Sequence, residues 1–432
     1  MDRLDGPEWL RRRRAEALDE FASVSLPSEK EEVWRYSPID QLDLDRYRPV
    51  SGPLTAPGPA KAFVDDLVRD LPALSAVVVA HNGRPGTFDR TSLPDAVTLG
   101  GLDGPGSDEL LGGVLEGGDA LVRLSDAFHP DAVVVDVPAG VRVTGPVVIV
   151  HWCDGASPDG PQPAAFPRTV VRVGPGASAG VVEVTAGAPG ASSGLVVPVT
   201  ELSVDDGGEL SYVSLQVLGT RAWYLGRQVG RAGSDARLRT FNVGLGAAYD
   251  RCRTDGALVG PGGSSELRSA YLGTGEQVHD VRTLQDHVAP RTTSDLLCRG
   301  AVAGSSRSVY SGLIRVRHGA VRTEAMQTNN NLVLSERAHA DSVPNLDIEE
   351  NDVRCSHAST VGPVDEDQRY YLESRGVPPE RAEQLIVLGF FDDIVGRSPV
   401  PEVVGRLRRE VVLRLTDALG LGAAGLRADG RG

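Results

Sequence analysis

From about residue 121 to residue 363 the chain repeats one local pattern: a short run of alternating apolar residues, a turn centred on glycine, then another strand-like run after a small residue. Five copies are plain, at residues 171–177 (VRVGPGA), 202–208 (LSVDDGG), 228–234 (QVGRAGS), 257–263 (ALVGPGG) and 314–320 (IRVRHGA). Period-two alternation is the signature of a strand, and glycine reaches positive φ without steric cost, so each copy reads as strand, corner, strand. No helical periodicity intervenes, which leaves a β-sandwich or a β-solenoid. Roughly 240 residues of the pattern exceed one ordinary sandwich, whereas a solenoid grows by adding coils that bury a continuous stripe between neighbours. The run Gln327-Thr328-Asn329-Asn330-Asn331-Leu332 supplies amides of the kind that stack between coils, and an ordinary turn explains it equally well.

Both flanks differ from this middle. Residues 1–25 read as a helix with a partial stripe of Trp9, Leu10, Ala17, Leu18 and Phe21, ended by Pro27. The apolar run at residues 76–80 followed by His81-Asn82-Gly83 reads as strand then turn, and residues 100–118, rich in glycine and acids, read as a loose linker. After Pro363 the pattern turns helical. Asp365-Glu366-Asp367 looks like a helix start, Pro378-Pro379 precedes a second helix at residues 380–391, and Pro399-Val400-Pro401 a third at residues 402–419. Leu385, Ile386, Leu388, Phe390 and Phe391 crowd the second helix beyond what so small a helical domain can bury internally, which points to a partner surface. The expected organisation is mainly β, with an α/β domain at 1–120, a solenoid core at 121–363 and a helical domain at 364–432.

Composition narrows the function classes. With 51 glycines, 29 prolines and 5% aromatic residues, the chain favours turns and small-residue packing over aromatic clusters. A formal charge of -15 argues against a nucleic-acid binder, and the one dense basic run, Arg11 to Arg14, reads as a solvated helix face. No stretch approaches the ~20 apolar residues of a membrane span, and charges stand where a signal peptide would be apolar, so the expected location is cytoplasmic. Cys153, Cys252, Cys298 and Cys355 form no C-x-x-C pair, and free thiols are expected in a reducing compartment.

Cys355 and His357 stand two apart, so on a strand they share a face within reach of one metal ion or cluster edge, and thiolate with imidazole suits iron or zinc. Two ligands do not hold a cluster alone. The bland reading makes Cys355 a small buried hydrophobe and His357 a residue satisfied at the solenoid edge. His279 and His287, flanked by Asp280 and Asp286, form a weaker candidate pair. Phosphate-loop, G-x-S-x-G and H-E-x-x-H motifs are absent from the sequence, so it offers no ATPase, serine hydrolase or zincin centre of those types.

These residues also lie in a longer order: Asp352-Val353-x-Cys355-Ser356-His357, then Thr360-Val361-Gly362, Asp365-x-x-Gln368, Tyr370-Tyr371 and Ser374-Arg375-Gly376. It resembles the carboxy-terminal signature of the SufB/SufD family, on its SufD side, the scaffold subunits of SUF iron-sulfur cluster assembly. Far upstream, Glu32-Val33-Trp34-Arg35-Tyr36-Ser37 matches an E-x-W-R-Y-[ST] element of the same family, where the residues themselves read as a core-anchoring aromatic cluster.

The resemblance implies a right-handed parallel β-helix and a non-catalytic scaffold. It implies pairing with a SufB-like subunit through the end of the solenoid, docking of a SufC-like ATPase on the helical tail, and a nascent iron-sulfur cluster shared transiently with SufB near His357 and, second to it, Cys355. No cofactor is implied to be tightly bound to the isolated chain, and a homodimer in isolation is left open. Two departures stand out. Ala358 replaces the glycine that commonly follows the histidine, and residues 335–343, around Ala338 and ahead of Pro344, lack the assembly cysteine of SufB. The rival readings are a β-solenoid polysaccharide hydrolase or lyase, which would need clustered carboxylates, and a zinc-dependent enzyme joining Cys355 and His357 to His279 or His287.

Overall fold

The computed structural model describes residues 4–53, 58–71, 73–115, 117–154, 161–188 and 193–418. Two long sheets carry the chain. One runs from edge to edge through His339–Ile348, Arg307–Val316, Val278–His287, Tyr249–Leu258, Arg221–Ala232, Val199–Val204, Arg168–Val173, Val133–Val137 and Thr98–Gly100. The other runs through Arg354–Gly362, Glu324–Val333, Thr293–Val302, Ser264–Gly273, Arg237–Gly244, Glu209–Gln216, Ser178–Ala186, Val147–Trp152, Ala76–His81 and Arg84–Asp89. Successive coils give one strand to each sheet and stack in parallel, Tyr249 against Val278, Val278 against Arg307, Glu324 against Arg354. The result is a β-solenoid of about seven turns, as the repeating sequence pattern leads one to expect.

One corner sets the register. Gly140, Gly176, Gly207, Asp235, Gly262, Arg291 and Arg322 all have φ between 52° and 78°. The N–H of each donates to the carbonyl just ahead of the corresponding corner one coil further on: Gly176 to Asp206 (3.0 Å), Gly207 to Ser234 (2.8 Å), Asp235 to Pro261 (3.0 Å), Gly262 to Pro290 (3.2 Å). All five glycine turns read from the sequence lie at this corner. Glycine takes the left-handed residue in four coils, while Asp235, Arg291 and Arg322 take it in three at a steric cost that the stacked hydrogen bonds offset.

Between the sheets, the half of the interior nearest this corner is apolar, with Val137, Val173, Val204, Ala232 and Leu258 stacked coil on coil. The second sheet is apolar on its outer face as well: Val148, Val150, Val182, Val184, Val213, Leu215, Phe241, Val243, Ala270 and Leu272 pack under the helices Pro379–Val395 and Val404–Ala418. Val387, Phe391, Ile394, Leu407 and Val411 fill that contact, and Arg299 adds a hydrogen bond to the Phe390 carbonyl (2.7 Å) and an ion pair with Asp393 (2.5 Å). Of the apolar groups that crowd the second carboxy-terminal helix, Phe391 is covered by the chain's own solenoid, Leu388 and Phe390 pack partly against it, and Leu385 stays exposed. Arg406 joins this layer to the amino-terminal helix Gly58–Arg69 through Asp66 (2.5 Å).

Several expectations are met closely. The first helix spans Glu8–Ser23, Ala76–His81 turns back through Asn82 and Gly83, and Asp365 caps Glu366–Ser374 by accepting from the N–H groups of Asp367 and Gln368. The third carboxy-terminal helix is described to Ala418, and the expected end at Leu419 lies outside the described residues. Others are corrected. Arg11 and Arg12 are solvated, but Arg14 is buried, donating to the carbonyls of His129 (3.0 Å) and Pro130 (2.7 Å), with burial pulling its pKa down to about 10. The segment expected to be a loose linker is pinned: the N–H groups of Gly112, Val114 and Leu115 all donate to buried Glu201, which also pairs with Arg168. Ala76–His81 pairs with Val147–Trp152, so amino-terminal residues continue the solenoid sheet.

Replacing Gly207 by alanine puts a Cβ on a left-handed residue and should cost about 1–2 kcal/mol. The check is the thermal unfolding midpoint, expected to fall for Gly207→Ala and to hold or rise for Asp235→Gly at the same corner.

Candidate functional site

The solenoid is finished at one end and open at the other. At its amino-terminal end both sheets close with antiparallel strands, Arg84–Asp89 on one and Thr98–Gly100 on the other. At the other end, among the described residues, Arg354–Gly362 pairs only with Glu324–Val333, and His339–Ile348 only with Arg307–Val316. Each therefore presents a free backbone edge nine or ten residues long, and most of their residues are exposed.

Parity along Arg354–Gly362 places Cys355, His357 and Ser359 on the row that faces the interior, stacked on Ala325, Gln327 and Asn329 of the coil beneath. The shared face expected from sequence is present, with a Cα spacing of roughly 6.7 Å for residues two apart on a strand. The two side chains nonetheless sit differently. Cys355 is half-buried against Ile314, Val316, Ala320 and Ala325, and burial raises its thiol pKa. His357 is exposed and has no hydrogen-bond partner among the described residues. Ala358 lies mid-strand without a positive φ, so its departure from glycine carries no backbone strain. Ala338 is buried just ahead of the neighbouring edge strand.

The other histidine candidates do not join them. His279 and His287 lie on one strand, about 26 Å apart at about 3.3 Å per residue. His279 faces inward to Asp250 (3.2 Å), while the neighbouring Asp280 serves Tyr249, Arg251 and Arg282 instead. His287 has its ring nitrogens 2.8 Å from the hydroxyls of Thr292 and Ser294, and burial lowers its pKa to about 4. Among the described residues no three His, Cys, Asp or Glu side chains gather to hold a metal ion, and the zinc arrangement built on these histidines has no geometric basis. Cys153, Cys252, Cys298 and Cys355 are all free; burial raises the first three thiols to about 12, which leaves them inert as nucleophiles.

The upstream aromatic element is an anchor. Trp34 is buried under the Arg251 guanidinium (3.6 Å to the ring centroid), and Arg251 and Arg282 donate to the carbonyls of Val33 and Arg35. Tyr36 is exposed at φ 68° and borders a cleft of about 760 Å³ shared with Trp223, Arg307, His339 and Asp341. His339 and Asp341, too close in sequence for an H-x-x-x-D motif, nonetheless pair here (3.1 Å), because H-x-D spacing on a strand puts both on one face. The three asparagines lie in a strand: Asn329 and Asn331 point inward to Ser342 and Tyr271, and Asn330 points outward to Thr360.

The family models settle the kinship. That for the SUF system FeS cluster assembly SufBD core domain matches residues 156–390, and that for the SufBD protein N-terminal region matches residues 4–149. The chain belongs to the SufB/SufD family of iron-sulfur cluster assembly proteins. It is 30% identical over 393 residues to a SufBD family protein of Mycobacterium tuberculosis, covering 89% of this chain and 88% of the relative. It is 26% identical over 384 residues to Escherichia coli SufD (86% and 85% covered), and 32% identical over 213 residues to Bacillus subtilis SufD (48% of each). No described helix is long and apolar enough to cross a membrane.

The buried His287 gives this region a pH dependence. Its ring is neutral in the fold, whereas in the unfolded chain it titrates near 6.5. Between these values the unfolded chain binds a proton the fold refuses, so stability present above pH 6.5 is lost as pH falls toward 4, by roughly 2–3 kcal/mol. Urea unfolding at pH 7 and pH 4.5 should show that drop in wild type and a smaller one in His287→Gln.

Proposed function

We propose that this chain is a SufD-type scaffold subunit that pairs with a SufB-like protein through the open end of its solenoid and helps build nascent iron-sulfur clusters there. One observation carries the reading: the two unfinished edge strands lie side by side, and one of them bears Cys355 and His357 on the row where a further coil would stack. A strand edge with free N–H and C=O groups is a template for pairing, and another solenoid's edge matches it in length and spacing. In the absence of that partner, a second copy of this chain would meet the same edge.

The cluster is then cargo, held between two proteins. His357, exposed and unpartnered, is the ligand this chain offers first. Cys355 must leave its apolar contacts and lose a proton before it can ligate, so it contributes later or less. The remaining ligands come from the partner. The chain itself turns nothing over.

The helical tail is the proposed dock for a SufC-like ATPase. The helix Glu366–Ser374 has no buried residue, and Tyr370 and Tyr371 are 73% and 58% exposed. This helix follows directly on the edge strand that carries the site, so a force applied to it would be felt at the open end.

The test is anaerobic affinity purification from native lysate of wild type, His357→Ala and Cys355→Ala. All three should bring down the SufB-like and SufC-like partners. Visible cluster absorbance should fall most in His357→Ala, by about tenfold if one ligand bond worth about 1.4 kcal/mol is lost, and less in Cys355→Ala. Absence of both partners from the wild-type preparation would refute the assignment.

A further inference from the structure

Four guanidiniums on the outer face of the first sheet share two carboxylates. Arg227, Arg253 and Arg282 stand side by side on successive coils, followed by Ser311, and Arg251 precedes Arg253 by two residues on the same face. Like charges directly opposite one another on neighbouring strands repel. Asp255 serves both Arg227 (2.7 Å) and Arg253 (3.1 Å), and Asp280 serves both Arg251 and Arg282 (2.5 Å each). The other hydrogen bonds of Arg251 and Arg282 go to neutral acceptors, the carbonyls of Val33 and Arg35.

Much of this surplus charge is out of water. Arg251 and Arg282 are 3% and 6% exposed, and Arg227 Nη1 is buried without a partner among the described residues. Arg253 and Arg282 each bond through Nε and Nη2, and among the described residues neither makes a hydrogen bond through Nη1. A charge taken out of water is costly unless a counter-charge meets it in good geometry. On a chain of net charge -15, this patch is instead short of negative charge.

A cavity of about 330 Å³ adjoins the array, lined by Arg253 and Arg282 and, beyond them, by Ser311 and Asn345. The hydroxyl and the amide are further donors to oxygen. Leu284 and Leu313 add apolar wall, and the volume is at the small end of ligand sites. Arg315, also at this cavity, is already paired with Asp347 (3.1 Å). Glu32 lines it as an exposed carboxylate in no ion pair among the described residues, so it offsets the surplus only across solvent.

We propose that this cavity binds the phosphate group of a small molecule. Arg253 and Arg282 donate from Nη1, and Ser311 from its hydroxyl, to oxygens whose double negative charge matches the two uncompensated guanidiniums. Planar guanidinium forks suit phosphate geometry better than point charges do. Leu284 and Leu313 carry the apolar remainder of an organic ester. The inference is independent of how the open end of the solenoid is used.

The experiment is isothermal titration of the full chain with inorganic phosphate and with phenyl phosphate, at an ionic strength held constant with sodium chloride. Both probes should bind once per chain. Arg253→Gln should weaken them about tenfold and Ser311→Ala about threefold, the sizes expected for a charged and a neutral hydrogen bond, while Arg307→Gln, on the neighbouring cleft, should leave them unchanged. Tighter binding of phenyl phosphate assigns an organic ester as the ligand, and equal binding assigns inorganic phosphate. No saturable binding of either probe up to about 10 mM, or equal affinity in folded Arg253→Gln, folded Ser311→Ala and wild type, would overturn the proposal.

Discussion

Parallel stacking gives every coil hydrogen-bonding partners only above and below, so a solenoid is secure in its middle and has to be finished at both ends. Here the in-register corner running from Gly140 to Arg322 ties each coil to the next and leaves no freedom in how the strands align. The amino-terminal end is finished by reversing chain direction, with an antiparallel strand on each sheet. The carboxy-terminal end is left as two parallel edges. An edge of that length is open to pairing with another strand unless something covers it, which is why the proposed partner is placed there.

The rest of the molecule keeps that end as the free one. The inner face of the second sheet is covered by the opposing sheet, and the apolar half of its outer face by the carboxy-terminal helices. Arg406, buried between Asp66, Asp70 and Glu410, locks the last helix to an amino-terminal one. Between the site strand and this fixed layer lies Glu366–Ser374, which buries nothing. A mobile demand placed on that helix would act between two rigid bodies, the solenoid end and the packed helices.

Much of the coil architecture was legible because each corner needs a residue at positive φ, and glycine announces four of the seven. The parity that puts Cys355 and His357 on one row was legible for the same reason: strand period is two, whatever the fold. What the sequence concealed depends on neighbours about thirty to more than a hundred residues away. Nothing local says that His279 pairs with Asp250 and not the adjacent Asp280, or that Arg14 is buried between two carbonyls. Strands such as Val147–Trp152 are apolar on both faces, so periodicity could not foretell that Phe391 and Ile394 would be covered by the chain's own sheet. Cys355 and His357 look equivalent as letters and differ because one inward position meets an apolar cluster and the other lies open.

The central claim is that the open edges are the working interface. Hydrogen-deuterium exchange of the purified chain, alone and with a SufB-like protein, tests it directly. Amides of His339–Ile348 and Arg354–Gly362 should exchange quickly in the free chain and become protected in the complex, with the glycine-corner amides unchanged. Protection confined to the helical layer or the amino-terminal cap, with both edges still exchanging, would contradict the account.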